Sequence, residues 1–225
     1  MCPDETKSLP EENDLRKDIF KNGEELFEEG IEKLVISECV SGTAQAGIRE
    51  KEFPELDKKA LEVIRRVWGD GKPNDEKFGG RITRKDLLTL YDSNWLNDEV
   101  INTYLELICE RAKQDSSLPK VYAFTTFFYA NLSRHGYTRV KRWTKKVDIF
   151  LYDILLVPLY LRGHWCLTVI DLEKKLIHYY SQSGVMNTRC LDLLRLYLNE
   201  ESIDKKKEPF DTKNWKCECR QVRNL

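Results

Sequence analysis

The sequence predicts an α+β fold, and three observations carry that prediction. Apolar residues at three- and four-residue spacing dominate the stretch from 55 to 133, alternating and near-continuous apolar runs follow between 147 and 180, and helical spacing returns at 190–198. Helices, then clustered strands, then a helix is the order of an α+β domain rather than a doubly wound sheet. The chain has 225 residues, 41% apolar and 11% aromatic, enough for a real core.

Residues 55–68 read as the first helix, since Leu56, Ala60, Leu61, Ile64, Val67 and Trp68 share one stripe. Residues 69–74 read as a turn, 81–83 as a short strand or link, and Thr83 as the cap of a short helix over 84–91. The clearest helix is 97–113, with Asn97 at the N-cap and Asp98 and Glu99 where negative charge suits the helix dipole. A shorter helix at 124–133 ends near His135-Gly136. Residues 147–151 alternate like a strand, and 154–157 form an apolar run suited to a strand covered on both faces. Segments 164–171 and 176–180 read as a hairpin. Cys190, Leu191, Leu194, Tyr197 and Leu198 mark the last helix, capped by Asn187 or Thr188. The region 200–225 reads as a charged tail anchored by Trp215.

The net charge of -1 excludes a chain that binds nucleic acid through bulk charge. It conceals an asymmetry, because residues 1–50 carry a net -7 and the remainder a net +6. Residues 1–52 are expected to be an acidic, mostly disordered extension, and 53–225 the domain. No run of apolar residues is long enough for a transmembrane helix, and the acidic N-terminus lacks the apolar stretch of a secretory signal. Neither a membrane nor a nucleic-acid partner is expected. The seven cysteines, odd in number and irregular in spacing, suit free thiols in a reducing compartment.

Chemistry-bearing groups are few. Of the three histidines, His135 reads as a helix-end residue and His178 as a packed or edge-exposed strand residue, whereas His164 stands where a loop enters a strand, a place suited to presenting a catalytic group. Cys217-x-Cys219 has no second pair or histidine after it, so no metal site is expected. No phosphate-binding glycine loop is present, so no cofactor is expected. Arg139, Lys141, Arg142, Lys145 and Lys146 surround Trp143, which is either a solvated face or a docking surface for an acidic partner.

Between residues 53 and 216 the sequence resembles the SUMO-specific (sentrin-specific) cysteine proteases of the ubiquitin-like-protein protease (Ulp/SENP) family. The likeness lies in Ile82-Thr83-Arg84-Lys85-Asp86-Leu87, Asn94-Trp95-Leu96-Asn97-Asp98-Glu99, Ala123-Phe124-Thr125-Thr126-Phe127-Phe128, Val140-Lys141-Arg142-Trp143-Thr144, Gly163-His164-Trp165-Cys166-Leu167 and Glu201-Ser202-Ile203-Asp204-Lys205. The resemblance implies a papain-like α+β fold, hydrolysis after the C-terminal Gly-Gly of SUMO in processing or deconjugation, and SUMO and SUMO-conjugated proteins as partners. It implies that His164 is the general base, that Trp165 and Trp95 enclose the Gly-Gly slot, and that Asp98, Phe127 and Arg142 contact SUMO. A nuclear location is the family expectation, with the cytoplasm as the alternative, and a monomer is expected.

Two departures from the family pattern bear on chemistry. The acid that orients the histidine would follow Tyr179-Tyr180, yet the chain continues Ser181-Gln182-Ser183-Gly184. Asp171 cannot replace it, being seven strand residues from His164, about 23 Å at 3.3 Å each. After Trp215 the family continues to a glutamine and then an Asp-Cys-Gly that opens a buried helix; this chain diverges there. Cys217 and Cys219 come too early to match that cysteine. The expectation is a C-terminally truncated, incomplete domain without turnover, whose strands lose the cover of that helix. The alternatives are a catalytically dead SUMO-binding module and a non-functional truncated product.

Overall fold

Helix α1 (Lys58–Trp68) begins where the Asp57 carboxylate accepts the Ala60 N–H at 2.7 Å, and it stops at Gly69. The computed structural model describes residues 57–222 except 70, 72, 79, 92 and 93; the acidic extension 1–52, Cys2, Cys39 and the start of the first predicted helix lie outside the described residues. The chain divides into two compact units, Met1–Val100 and Ile101–Leu225.

In the first unit, α2 (Arg84–Leu87) is a single turn locked by a capping box: Thr83 accepts from the Asp86 N–H while Asp86 accepts the Thr83 N–H at 2.8 Å. A 3₁₀ turn, Leu88–Leu90, completes the segment expected as one helix. The expected strand at 81–83 is an isolated bridge between Lys77 and Thr83. Val67, Phe78, Ile82 and Val100 form this unit's core, with Val63, Trp68, Leu87 and Leu96 against them. Helix α3 (Asp98–Gln114) runs out of this unit, its start set by the Val100 N–H donating to the Asn97 side chain at 3.1 Å.

The second unit is built on a five-stranded sheet of order β1 (Val121–Ala123), β2 (Ile154–Leu161), β3 (His164–Asp171), β4 (Leu176–Ser181), β5 (Lys216–Gln221). The three middle strands are antiparallel, and both outer strands run parallel to their neighbours. Leu155, Val157, Leu159, Ile170 and Ile177 are completely or almost completely buried, each contributing roughly 1.5–3 kcal/mol of hydrophobic stabilisation. They share a core with Phe128 and Leu132 of α4 (Phe127–His135), Val140 of α5 (Tyr137–Val140) and Leu194, Tyr197 and Leu198 of α6 (Thr188–Lys206). Leu156, Val169 and Tyr180, which alternation places on the other face, are buried too. The expected loss of cover over the strands is therefore not seen at these residues.

Two sequence expectations need correction. Residues 147–151 hold no strand: the Asp148 carboxylate accepts the Phe150 N–H at 3.0 Å and turns the chain into a 3₁₀ helix, Ile149–Leu151. The region 200–225 is no simple tail, because α6 runs on to Lys206 and β5 adds a strand beside β4. The charges of β5 alternate, hiding a strand in a polar composition. Of the two positions expected for His178, packed or edge-exposed, the structure shows the packed one, since β5 covers its strand and leaves it 2% exposed. His135 ends α4, as its neighbour predicts, with Gly136 at φ 69°.

Candidate active site

Strand β3 opens directly after a two-residue turn. Leu161 pairs with His164, and between them Arg162 and Gly163 have φ of 51° and 86°, the two positive values of a type I′ hairpin. Such a turn matches the twist of its strands, so His164 is presented, exposed, from the first position of a rigid ladder. Trp165 follows it, half-buried, and its cross-strand partner Tyr160 lies with its ring 4.9 Å away at 55°. Tyr160 is 58% exposed.

The groups that could act with His164 are distributed as follows. Asp171 sits at the opposite end of β3, where it accepts the Lys174 N–H at 2.7 Å and pairs with the Lys174 amine at 3.3 Å, a role in the hairpin turn. Ser181, which directly follows Tyr179-Tyr180, is buried at the end of β4, its hydroxyl 3.4 Å from that of Ser183. Gln182 accepts the Gln221 side-chain N–H at 3.1 Å through its carbonyl. Cys219 pairs with Tyr179, which pairs with Thr168. It therefore lies two strands across and four residues along from His164, roughly 16 Å at about 4.8 Å per strand and 3.3 Å per residue. Cys217 lies farther along. Cys166 shares the strand and, by alternation, the face of His164. Burial pushes the thiols of Cys109, Cys166 and Cys217 up and that of Cys190 to about 11, the direction opposite to a nucleophile's.

The remaining site residues belong to other elements. In the second unit, Phe127 heads α4 and is 51% exposed. The start of that helix is tied by a reciprocal pair: the Thr126 N–H donates to Asn102 at 2.9 Å, and the Asn102 amide donates back to the Thr126 hydroxyl at 3.1 Å. Arg142 is exposed on the turns 141–146 that follow α5, beside Trp143, whose ring lies 6.0 Å from that of Phe128. In the first unit, Trp95 is 61% exposed and Asp98 begins α3. Asp86 orders this stretch: its carboxylate accepts the Asn97 amide at 2.8 Å and the Thr83 hydroxyl at 2.6 Å. Burial alone would raise the Asp86 carboxyl, but the hydrogen bonds from Thr83 and Asn97 outweigh it and hold it below the usual range.

The structure thus joins His164 and Trp165 at one strand end, places Phe127 and Arg142 elsewhere in the same unit, and puts Trp95 and Asp98 in the other. Sequence reasoning missed Tyr160 and Asp86. The Arg-Gly turn would have paired Tyr160 with Trp165, and the Thr-x-x-Asp spacing would have marked Asp86. Among the described residues no group of three or more His, Cys, Asp or Glu is arranged to hold a metal ion, and no helix is long and apolar enough to cross a membrane.

Residues 94–223, more than half of the chain, match peptidase C48, the Ulp1 protease family, C-terminal catalytic domain. The chain belongs to the Ulp1 protease family. It is similar to a sentrin-specific protease of Caenorhabditis elegans, 48% identical over 167 residues that cover 73% of this chain and 24% of the relative. It is also similar to human sentrin-specific protease 2, 41% identical over 171 residues covering 74% and 29%. The chain therefore spans about a quarter to a third of the length of these curated relatives. Among solved structures, the C-terminal Ulp1 protease domain in complex with Smt3, the yeast ortholog of SUMO, superposes with a TM-score of 0.59 at 30% identity, covering 77% of each chain. The α+β class read from the sequence is that of the Ulp1 catalytic domains.

Proposed function

We propose that this chain is a SUMO-recognising catalytic-domain segment of a sentrin-specific protease, the reaction being hydrolysis after the C-terminal Gly-Gly of SUMO in processing or deconjugation. The observation that carries the reading is the exposed His164-Trp165 pair at the end of β3, within the region matching the family. In this reading Trp165 lines a passage that only residues without side chains can thread, and Trp95 is a further SUMO-contacting residue. Asp98 and Phe127 contact the body of SUMO, and the exposed cations around Arg142 meet its acidic face. A neutral imidazole at His164 would take the proton of a thiol nucleophile.

The second reading, binding without turnover, is favoured by the surroundings of His164. Neither Cys217 nor Cys219 reaches it, burial raises the nearby Cys166 thiol, and no acid stands between Tyr180 and Gly184. Calorimetric titration with SUMO, alongside release of a fluorophore from the SUMO C-terminus, tests both readings. Binding that weakens in Trp165→Ala is expected; binding indifferent to that change, or none, overturns SUMO recognition. No release is expected from this chain, and release abolished by His164→Ala would overturn binding without turnover. A nuclear location is part of the proposal, tested by imaging the tagged chain in cells.

A further inference from the structure

The five cations around Trp143 are all exposed, yet Thr144 in their midst is completely buried, as is Val140 one turn earlier. Thr144 turns inward because α6 receives it. The Thr144 hydroxyl donates to Glu201 at 2.6 Å, the Lys205 amine pairs with the same carboxylate at 2.6 Å, and the Tyr137 hydroxyl donates to its second oxygen at 2.8 Å. Lys205 also donates to the Thr144 hydroxyl at 2.8 Å and to the Thr144 carbonyl, so the backbone of the turn itself is held. On the far side, Lys206 pairs with Asp148 at 3.2 Å. A carboxylate with no exposure is tolerated only when fully partnered, and Glu201 is partnered by groups on three segments.

We propose that Thr144, Glu201 and Lys205 form a latch that fixes the basic turn in its docking shape, making them positioning residues for capture of SUMO's acidic face. The inference rests on the SUMO-recognition reading above. Its physical basis is preorganisation: a turn held by buried bonds loses less freedom when Lys141, Arg142 and Lys145 engage a partner. The latch touches no partner atom; it acts through Arg142 and its neighbours.

The test is a double-mutant cycle of Thr144→Val and Arg142→Ala in the full chain, titrated with SUMO at two salt concentrations. Thr144→Val should weaken binding about tenfold when Arg142 is present and by less than about twofold in the Arg142→Ala background, because coupled residues are not additive. It should also make the salt dependence shallower, and Thr144→Ser, which keeps the hydroxyl, should restore affinity. Equal losses in both backgrounds, or wild-type affinity in a folded Thr144→Val chain, overturn the latch while leaving SUMO recognition intact. Wild-type binding that ignores Arg142→Ala, or no binding, removes the docking role of the basic turn and the latch with it. Should Thr144→Val fail to show a cooperative unfolding transition, Lys205→Met, at a partly exposed position, enters the same cycle with the same criteria.

Discussion

The turns at 141–146 and the turn at 162–163 both present side chains to solvent, but different forces hold them. The first is held from a distance: its anchor, Thr144, bonds to Glu201 and Lys205, 57 and 61 residues along the chain. The second is held by its own stereochemistry, two residues at positive φ closing an eight-pair ladder. A turn fixed by remote bonds should fail with the packing around α6, whereas a turn fixed by local dihedrals should respond mainly to changes at its two central residues.

The largest expected effect breaks the remote turn. Glu201→Ala strands the Lys205 amine and the hydroxyls of Thr144 and Tyr137, and should cost about 3–5 kcal/mol in urea-induced unfolding, as for other buried ion pairs that lose one partner. A loss under about 1 kcal/mol would place Glu201 among weakly coupled surface pairs instead. Next comes the local turn: Gly163→Ala forces a Cβ onto a residue at φ 86° and should cost about 1–2 kcal/mol in the same measurement.

A third, smaller effect concerns pH and belongs to β4. His178 is packed with Glu218 3.5 Å from its ring, and Asp171, Lys174 and Lys216 also act on it; burial holds its imidazole below the usual range despite the two acids. The unfolded chain then takes up a proton near pH 6.5 while the folded protein does so only at lower pH, so stability should fall as pH drops below about 6.5. His178→Leu should remove that part of the decline in unfolding free energy measured from pH 7 to 5; an unchanged slope would assign the decline to other groups. The smallest effect is a gain. Arg162 sits at φ 51°, where asparagine is better tolerated, so Arg162→Asn should raise stability by a few tenths of a kcal/mol, read as a shift in the denaturant midpoint.

The same contrast explains what could be read from the sequence. Asn97 and Gly136 signal structure through their own cap or backbone chemistry, and the helices they bound lie close to where the sequence puts them, whereas the segment that Thr83 caps divides into an α turn and a 3₁₀ turn. His164 and Trp165 were legible because a turn and a strand start meet there. Glu201 was not: a carboxylate within a polar helical stretch looks solvated until the fold shows what it faces. The alternating charges of β5 likewise describe an edge strand only once β4 is beside it. Residues 147–151 misled for the opposite reason, since one aspartate side chain outweighed a five-residue alternation.

The parallel pairing of β5 with β4 also governs how the molecule avoids sticking to itself. A parallel neighbour cannot arrive through a tight hairpin; it needs a crossover, here the long helix α6. Until that helix docks, β4, with Leu176, Ile177, Tyr179 and Tyr180 in six residues, is the sheet's open margin and a template for another chain. Once β5 is seated, the margin carries Lys216, Glu218 and Arg220, and like strands in solution are met by charge rather than by apolar backbone. On that side of the sheet, protection against such pairing is thereby deferred to β5, the last of the described strands in chain order.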